Sequence, residues 1–403
     1  MKVNPFFDLF LFLGFFNLFG RQTYVLVLAV VLYLCITQQK TILFNLNSAA
    51  MFSWVVIYFV WTLLTYGLSI SQLLFPIVAF SLYMLGIGCT NCRNTETEFA
   101  KIYLIAATGM LANGILNFAL NLRKYGWDFG GRRVLIDIWD GELLATGQAA
   151  LFVPIIGIMY YIFVIMGNGG TNKERWIKAG YILGCLLSIV YNIMSASRYV
   201  LYVSIVLLLL CAVVDIIWQK NTEKLSRFLK LLSIVCVVIV LYNINLFGFK
   251  SWFENSALAN RLENIESQGE DTVFTSEARI AQIKDVLSNI GLYLWGGKPT
   301  GYEFIHNTWL SSLNSGGILT ALPLLIFSIS NIAVSISVMK RASKGIALFV
   351  LGSVISIYGF MMIEPVIESA RGLFYFFCLE AGMLNGMDYQ LRSKSSESAL
   401  EVL

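Results

Sequence analysis

Charged residues are scarce in this sequence of 403 residues: they make up 13% of the chain, whereas hydrophobic residues make up 58%. This balance, with a mean hydropathy of +0.73, excludes a soluble globular domain and indicates a polytopic membrane protein. The lipid bilayer is therefore the expected solvent and partner of the chain. Nucleic acid is not expected as a partner.

Histidine is rarer still, because His306 is the single histidine of the chain. One histidine without a nearby cluster of acidic residues or cysteines does not make the usual open metal site, so no metal and no other cofactor is expected. Cys89 and Cys92 form a CTNC motif, but no second pair or histidine lies near it, and a metal site there is disfavoured. A nucleophile elbow is also lacking, which argues against a Ser-His-Asp hydrolase.

Apolar runs of about 17 to 25 residues recur along the chain and predict an all-α protein with about 12 membrane-spanning helices. The N-terminal run lacks a small-residue cleavage site, so we interpret it as a first span and not as a removed signal peptide. No internal repeat is found. The predicted spans lie at 5–19, 22–37, 49–67, 70–88, 100–120, 146–166, 178–194, 199–217, 229–247, 309–338, 345–363 and 372–388.

Lysines and arginines cluster after the sixth, eighth, tenth and twelfth predicted spans. The positive-inside rule makes these four segments cytoplasmic, and both chain ends are then cytoplasmic as well. Two longer polar segments, 121–145 and 248–308, become outer loops of a single membrane domain over 1–403. The larger loop contains an amphipathic helix at about 277–290, whose apolar residues follow a helical period.

Several arginines fall on the outer face, where the positive-inside rule disfavours them. A guanidinium presents a planar fork of donors that suits phosphate, so these residues are candidate ligands of a diphosphate. Three of them also have a simpler interpretation. Arg198, between two apolar helices, can snorkel, Arg279 can lie on a solvated helix face, and Arg371 can pair with Glu368 along a helix. The candidates are Arg132, Arg133, Arg198, Arg279 and Arg371.

His306 lies at the end of the larger outer loop, and Asn307 or Thr308 can cap the helix that is predicted to begin at Trp309. The imidazole is thereby held near a helix N-terminus outside the lipid, where it can act as a base near neutral pH. The alternative is that His306 is a polar interface residue and that its two neighbours serve only as caps.

Three segments, in this order, resemble the bacterial O-antigen polymerase and ligase superfamily. SASRYVLYVSIVLLLL (195–210) resembles its helix-opening SR motif, and SEARIAQIKDVLSNIGLYLWGGKPTG (276–301) its arginine, amphipathic helix and G-x-G segment. FIHNTWLSSLNSGGILTALPLL (304–325) resembles its HN-x-x-L segment, and GGRRVLIDIWDGELLATGQAALF (130–152) is a looser match to an arginine-containing outer loop. GGKP (296–299) stands where G-x-G is commoner.

The resemblance implies a metal-independent, inverting glycosyltransferase with a GT-C-like multi-helix fold and a large outer loop. The enzyme would act on polyprenyl-diphosphate-linked oligosaccharides at the outer, periplasmic face of the bacterial cytoplasmic membrane. His306 would be the base, the five arginines would bind the diphosphate, and Asn307 and Glu368 would support them. The expected partners are a lipid-linked donor and acceptor, with a chain-length regulator and a flippase as accessory proteins.

Four functions remain open. A polymerase joins repeat units of O-antigen or capsule type, and we prefer it because polymerases are the more numerous branch of the superfamily. A ligase transfers the finished chain to lipid A-core. A flippase or transporter of a lipid-linked oligosaccharide predicts charged or helix-breaking residues near the middle of the spans. A non-catalytic scaffold predicts that His306 can be replaced without loss.

Overall fold

The structure is a computed structural model that describes residues 5–37, 45–92, 94–125, 248–256 and 274–401, together with scattered residues between 135 and 259. This part of the chain is helical. Its helices are α1 (Pro5–Phe15), α2 (Gln22–Thr37), α3 (Leu46–Tyr66), α4 (Ile70–Thr90), α5 (Thr95–Tyr125), α6 (Phe249–Glu254), α7 (Phe274–Ser288), α8 (Ile290–Tyr293), α9 (Thr308–Arg341), α10 (Lys344–Ile363), α11 (Val366–Ser369) and α12 (Arg371–Glu401). The exception to the all-α prediction is a pair of two-residue antiparallel strands, β1 (Leu135–Ile136) and β2 (Leu143–Leu144), in the predicted loop at 121–145.

The chain divides into two compact units. Met1–Gly114 and Thr275–Leu403 form the first unit, and Ile115–Phe274 forms the second. Most of the described helices belong to the first unit. The second unit contains the two strands and α6.

Five of the described helices, α3, α4, α5, α9 and α10, are long and apolar enough to cross a membrane. The prediction for the first span, 5–19, is wrong in length, because α1 ends at Phe15 after 11 residues. A helix of this length measures about 16 Å, whereas the hydrocarbon core of a bilayer is about 30 Å thick. The predicted spans at 146–166 and 178–194 lie outside the described residues, and those at 199–217 and 229–247 are described only at scattered residues.

Helix α12 is enclosed by the rest of the first unit, since every residue from 372 to 388 is buried. Its contact with α4 depends on glycine. A Cβ atom added at Gly382 would overlap the backbone carbonyl of Tyr83, and one added at Gly86 would overlap the carbonyl of Leu379. Small residues at such a crossing let two helix backbones touch, which is how helices gain packing energy where lipid and side chains are equally apolar.

Hydrogen bonds accompany this close approach. The Thr90 hydroxyl donates to the carbonyl of Met383 over 2.7 Å, and the Asn385 amide donates to the Tyr83 hydroxyl over 2.7 Å. Ser48 of α3 and Tyr83 also share a hydrogen bond of 2.9 Å. These polar groups therefore join α3, α4 and α12 inside a mostly apolar core.

Helix α9 reverses direction near its start. Gly317 has φ 70° and ψ −164°, a conformation that favours glycine. The Trp309 indole nitrogen donates to the Ser328 hydroxyl over 3.0 Å, although 19 residues of straight helix would separate their backbones by about 28 Å. The Thr320 hydroxyl likewise donates to the carbonyl of Ser312 over 2.8 Å, so the first turns of α9 fold back on the turns that follow.

We call residues 308–316 the half-helix. The sequence predicts one continuous span at 309–338, and this prediction is wrong at its start: the half-helix precedes the reversal, and only the part from 318 to 341 continues as a long helix. A side chain at Gly317 would overlap the carbonyl of Leu294. The reversal therefore requires glycine for its backbone conformation and for space.

The GGKP segment (296–299) holds the reversal in place. The backbone N–H of Gly297 donates to the carbonyl of Ser315 over 3.0 Å, and that of Lys298 donates to the carbonyl of Asn314 over 2.9 Å. Carbonyl groups at the end of a helix lack partners within the helix. The GGKP segment supplies those partners at the end of the half-helix.

Replacing Gly382 with alanine is expected to lower the thermal stability of the purified protein, because the α4 and α12 backbones must separate to admit the methyl group. Overpacking of this kind costs about 1–3 kcal/mol. Gly291→Ala is the matched control, since a Cβ atom at that helical position meets no atom within 4 Å. Unfolding temperatures measured in one detergent would contradict the packing account if both variants changed equally.

Candidate functional site

Arg279, His306 and Glu364 meet at one place, although they come from three separate segments: α7, the residue before the cap of α9, and the residue after α10. One oxygen of Glu364, Oε1, accepts a hydrogen bond from Arg279 Nη2 over 3.1 Å. The other oxygen, Oε2, lies 3.4 Å from His306 Nδ1. The carboxylate therefore links the arginine to the single histidine.

The start of the half-helix positions His306. Asn307 is the N-cap: its side-chain oxygen accepts from the N–H of Leu310 over 3.0 Å, and its amide donates to the carbonyl of Met362 over 3.2 Å. The Thr308 hydroxyl donates to the carbonyl of Glu364 over 2.8 Å. Asn307 and Thr308 thus fasten the half-helix to the end of α10, beside the histidine.

The imidazole of His306 is held but remains accessible. Its side chain is 24% exposed, and the ring packs edge-on against Phe304 with centroids 5.4 Å apart. Nδ1 lies within ion-pair distance of Glu364 but makes no hydrogen bond to it. With Nδ1 turned toward the carboxylate, Nε2 is the nitrogen that can meet a substrate.

Arg279 keeps hydrogen-bonding capacity for a ligand. Its Nη1 reaches the carbonyl of Ile363 at 3.5 Å, so the guanidinium is oriented by the end of α10 and by Glu364. Its side chain is 36% exposed, and a guanidinium carries five N–H donors. The donors that Glu364 and Ile363 leave over can therefore bind an anion.

Glu368, in α11 between α10 and α12, lies beside the half-helix. Ser315 donates to its Oε1 over 3.5 Å, Ser311 also bonds to it, and its Oε2 is shielded from solvent without a hydrogen-bond partner. Burial raises the pKa of Glu368 to about 7, while the bond from Ser311 and the charge of Lys298 oppose the rise. This carboxyl can therefore change charge near neutral pH.

Arg371 does not pair with Glu368 as the local interpretation predicts. Its guanidinium donates to Gln72 of α4 over 2.6 Å and lies 5.3 Å from the ring centroid of Phe75. The helical spacing that the prediction assumes is broken at Ala370, which has φ −142° and ψ 47°. Arg371 thus ties the start of α12 to α4.

The structure does not place the remaining predicted ligands of the diphosphate: Arg132, Arg133 and Arg198 lie outside the described residues. Among the predicted residues that it describes, it brings His306 and Asn307 next to Arg279, and Glu368 to the side of the same half-helix.

Sequence reasoning missed two carboxylates. Nothing in the sequence indicates that Glu364 contacts Arg279, 85 residues away. Glu380, in the first half of α12, is 2% exposed, and its position inside an apolar run is a signal that could have found it.

The fold and the site together define a class: a helical protein whose apolar helices can cross a membrane, with a histidine, a carboxylate and an arginine at one hinge. No protein-family model matches the chain, and no curated protein matches it.

Replacing Glu368 with glutamine is expected to stabilise the protein at pH 8 and to leave its stability unchanged at pH 4. The pKa of Glu368 is raised from 4.5 to about 7 in the fold, so its stabilising contribution is complete below 4.5 and is lost as the pH rises through about 7. The glutamine side chain is neutral at both pH values, as protonated Glu368 is. The expected rise in unfolding temperature at pH 8 is on the order of 2 °C.

Glu303→Gln is the control, because it removes one negative charge, as Glu368→Gln does, at an exposed position before the half-helix. An equal rise at pH 8 in both variants would show that net charge, and not the burial of Glu368, causes the effect.

Proposed function

We propose that this protein is a polysaccharide polymerase that joins polyprenyl-diphosphate-linked oligosaccharide units at the outer face of the bacterial cytoplasmic membrane. The proposal includes about 12 spans and a GT-C-like architecture, and five described helices are long and apolar enough to be spans of it. Both chain ends would be cytoplasmic and the site periplasmic. It rests on the motif order in the sequence and on the geometry around Glu364.

The observation that carries the proposal is that Glu364 contacts both His306 and Arg279. Glycosyl transfer from a lipid diphosphate needs a base for the acceptor hydroxyl and positive charge for the departing diphosphate. Among the residues of the sequence motifs, His306 is the candidate base and Arg279 is a candidate source of the positive charge. The structure supports the pairing, because the two residues share one carboxylate.

In the proposed reaction, Nε2 of His306 takes the proton of an acceptor hydroxyl as that oxygen attacks the anomeric carbon of the donor. The bond between this carbon and the diphosphate oxygen breaks, and its electron pair leaves with the diphosphate. A single displacement of this kind inverts the anomeric configuration. Glu364 would orient the imidazole and stabilise the imidazolium that forms.

The free donors of Arg279 would bind the departing diphosphate. Glu364 already holds one nitrogen of the guanidinium, so the arginine is oriented before the substrate arrives and loses less side-chain entropy on binding. Arg132, Arg133 and Arg198 would add positive charge. Arg371, which bonds to Gln72, contributes to this site chiefly by fixing the start of α12.

The transporter is a second candidate function, and one observation favours it. A transporter predicts ionisable residues inside its spans, where they mark ion or substrate pathways. Glu380 is such a residue if the predicted span at 372–388 crosses the membrane, because it is buried at the centre of that segment. It lies in a different part of the sequence from the polymerase motifs and is not needed for glycosyl transfer.

The test is a reconstitution of the purified protein in liposomes with a polyprenyl-diphosphate-linked repeat unit and no divalent metal. The native protein is expected to build a ladder of longer glycans. His306→Ala is expected to abolish the ladder, and Arg279→Ala to reduce the rate by at least about 100-fold, the loss typical of removing one charge-stabilising donor. Lys284→Ala removes an exposed cation from the same helix and should change nothing.

Each further outcome selects another function. A product that forms only with a lipid A-core acceptor indicates a ligase, and movement of the lipid-linked unit across the bilayer without a new glycosidic bond indicates a transporter. Full activity of a folded His306→Ala protein would contradict the catalytic role of His306.

A further inference from the structure

Glu380 is a buried carboxyl that glycosyl transfer does not use. It lies on α12, within the stretch from 372 to 388 in which every residue is buried, and is itself 2% exposed. Its Oε1 is shielded from solvent and has no hydrogen-bond partner. A carboxylate in such a place needs a compensating cation or many donors.

The described residues around Glu380 supply neither. Ser353 of α10 bonds to its side chain, and Ser353 shares a hydrogen bond of 2.6 Å with the Tyr103 hydroxyl of α5. Two phenols interact with it, those of Tyr103 of α5 and Tyr358 of α10. No lysine or arginine in the part of the chain that the structure describes makes an ion pair with Glu380.

We propose that Glu380, Ser353 and Tyr103 form a buried proton-binding site between α5, α10 and α12, with Glu380 present as the neutral carboxylic acid. The proposal is independent of glycosyl transfer. It follows from geometry: an ionised carboxylate would leave a full negative charge with one hydroxyl donor, whereas the neutral acid leaves only one unpaired carbonyl oxygen.

The hydrogen bonds of the site can be completed in one consistent direction. The acid O–H of Glu380 donates to the Ser353 oxygen, and the Ser353 hydroxyl donates in turn to the Tyr103 oxygen. The unpartnered Oε1 is then the carbonyl oxygen of the acid. Each of the three side chains carries an exchangeable proton, so the ligand of the site is a proton.

Infrared spectroscopy of the purified full-length protein at pH 8 tests this assignment directly. The difference between wild type and Glu380→Gln is expected to show the carbonyl stretch of one protonated carboxylic acid, and this band should move to lower frequency in D₂O. Glu380→Gln keeps the shape of the neutral acid, so it is expected to unfold at the wild-type temperature.

Two further variants keep the test decisive if Glu380→Gln does not fold. Ser353→Ala removes the hydrogen bond to the acid and is expected to shift the band to higher frequency without removing it. Tyr103→Phe leaves Ser353 in place and is expected to cause a smaller shift in the same direction.

Other results would overturn the proposal. A carboxylate band in place of the acid band in the same difference spectrum would show that Glu380 is ionised. Replacement of the acid band by a carboxylate band when sodium is added would assign the site to a metal cation. Spectra of Ser353→Ala and wild type that coincide throughout the carbonyl region would remove Ser353 from the site.

Discussion

The contact between α4 and α12 is the constraint on which the rest of the first unit depends. In a membrane, lipid is as good an environment for apolar side chains as another helix is. Helices in a membrane therefore associate through close packing and polar contacts. Gly86 and Gly382 permit the packing, and Asn385 and Thr90 add the polar contacts. Because α12 is thereby fixed, so are Arg371 at its start and the hinge that carries the two glutamates of the site.

The sequence predicts the simple helices well and the reversal of α9 not at all. The predicted spans at 70–88 and 345–363 differ from α4 and α10 by two residues or fewer at each end, because the apolar runs stop where the helices stop. The half-helix escapes prediction because its serines and asparagine are averaged with the apolar residues beyond Gly317. The turn is visible only in the structure, in the backbone of Gly317 and in the contact with Gly297 and Lys298.

The site is predicted in part, because a local sequence pattern identifies some of its residues and not others. His306 stands out because it is the only histidine, and Arg279 because it begins an amphipathic helix. The role of Glu364 depends on a contact across 85 residues of chain, which no local pattern encodes. The predicted pair of Glu368 and Arg371 fails because it assumes an uninterrupted helix, and the backbone at Ala370 is not helical.

The half-helix is fastened at both ends, and this restricts its length more than its composition. Thr308 bonds to the end of α10, and Ser315 accepts from the GGKP segment. One inserted residue would rotate part of the half-helix by about 100° relative to the rest, and Ser311 and Ser315 could no longer both face Glu368. During evolution, substitutions between these two anchors are therefore far easier to accommodate than insertions or deletions.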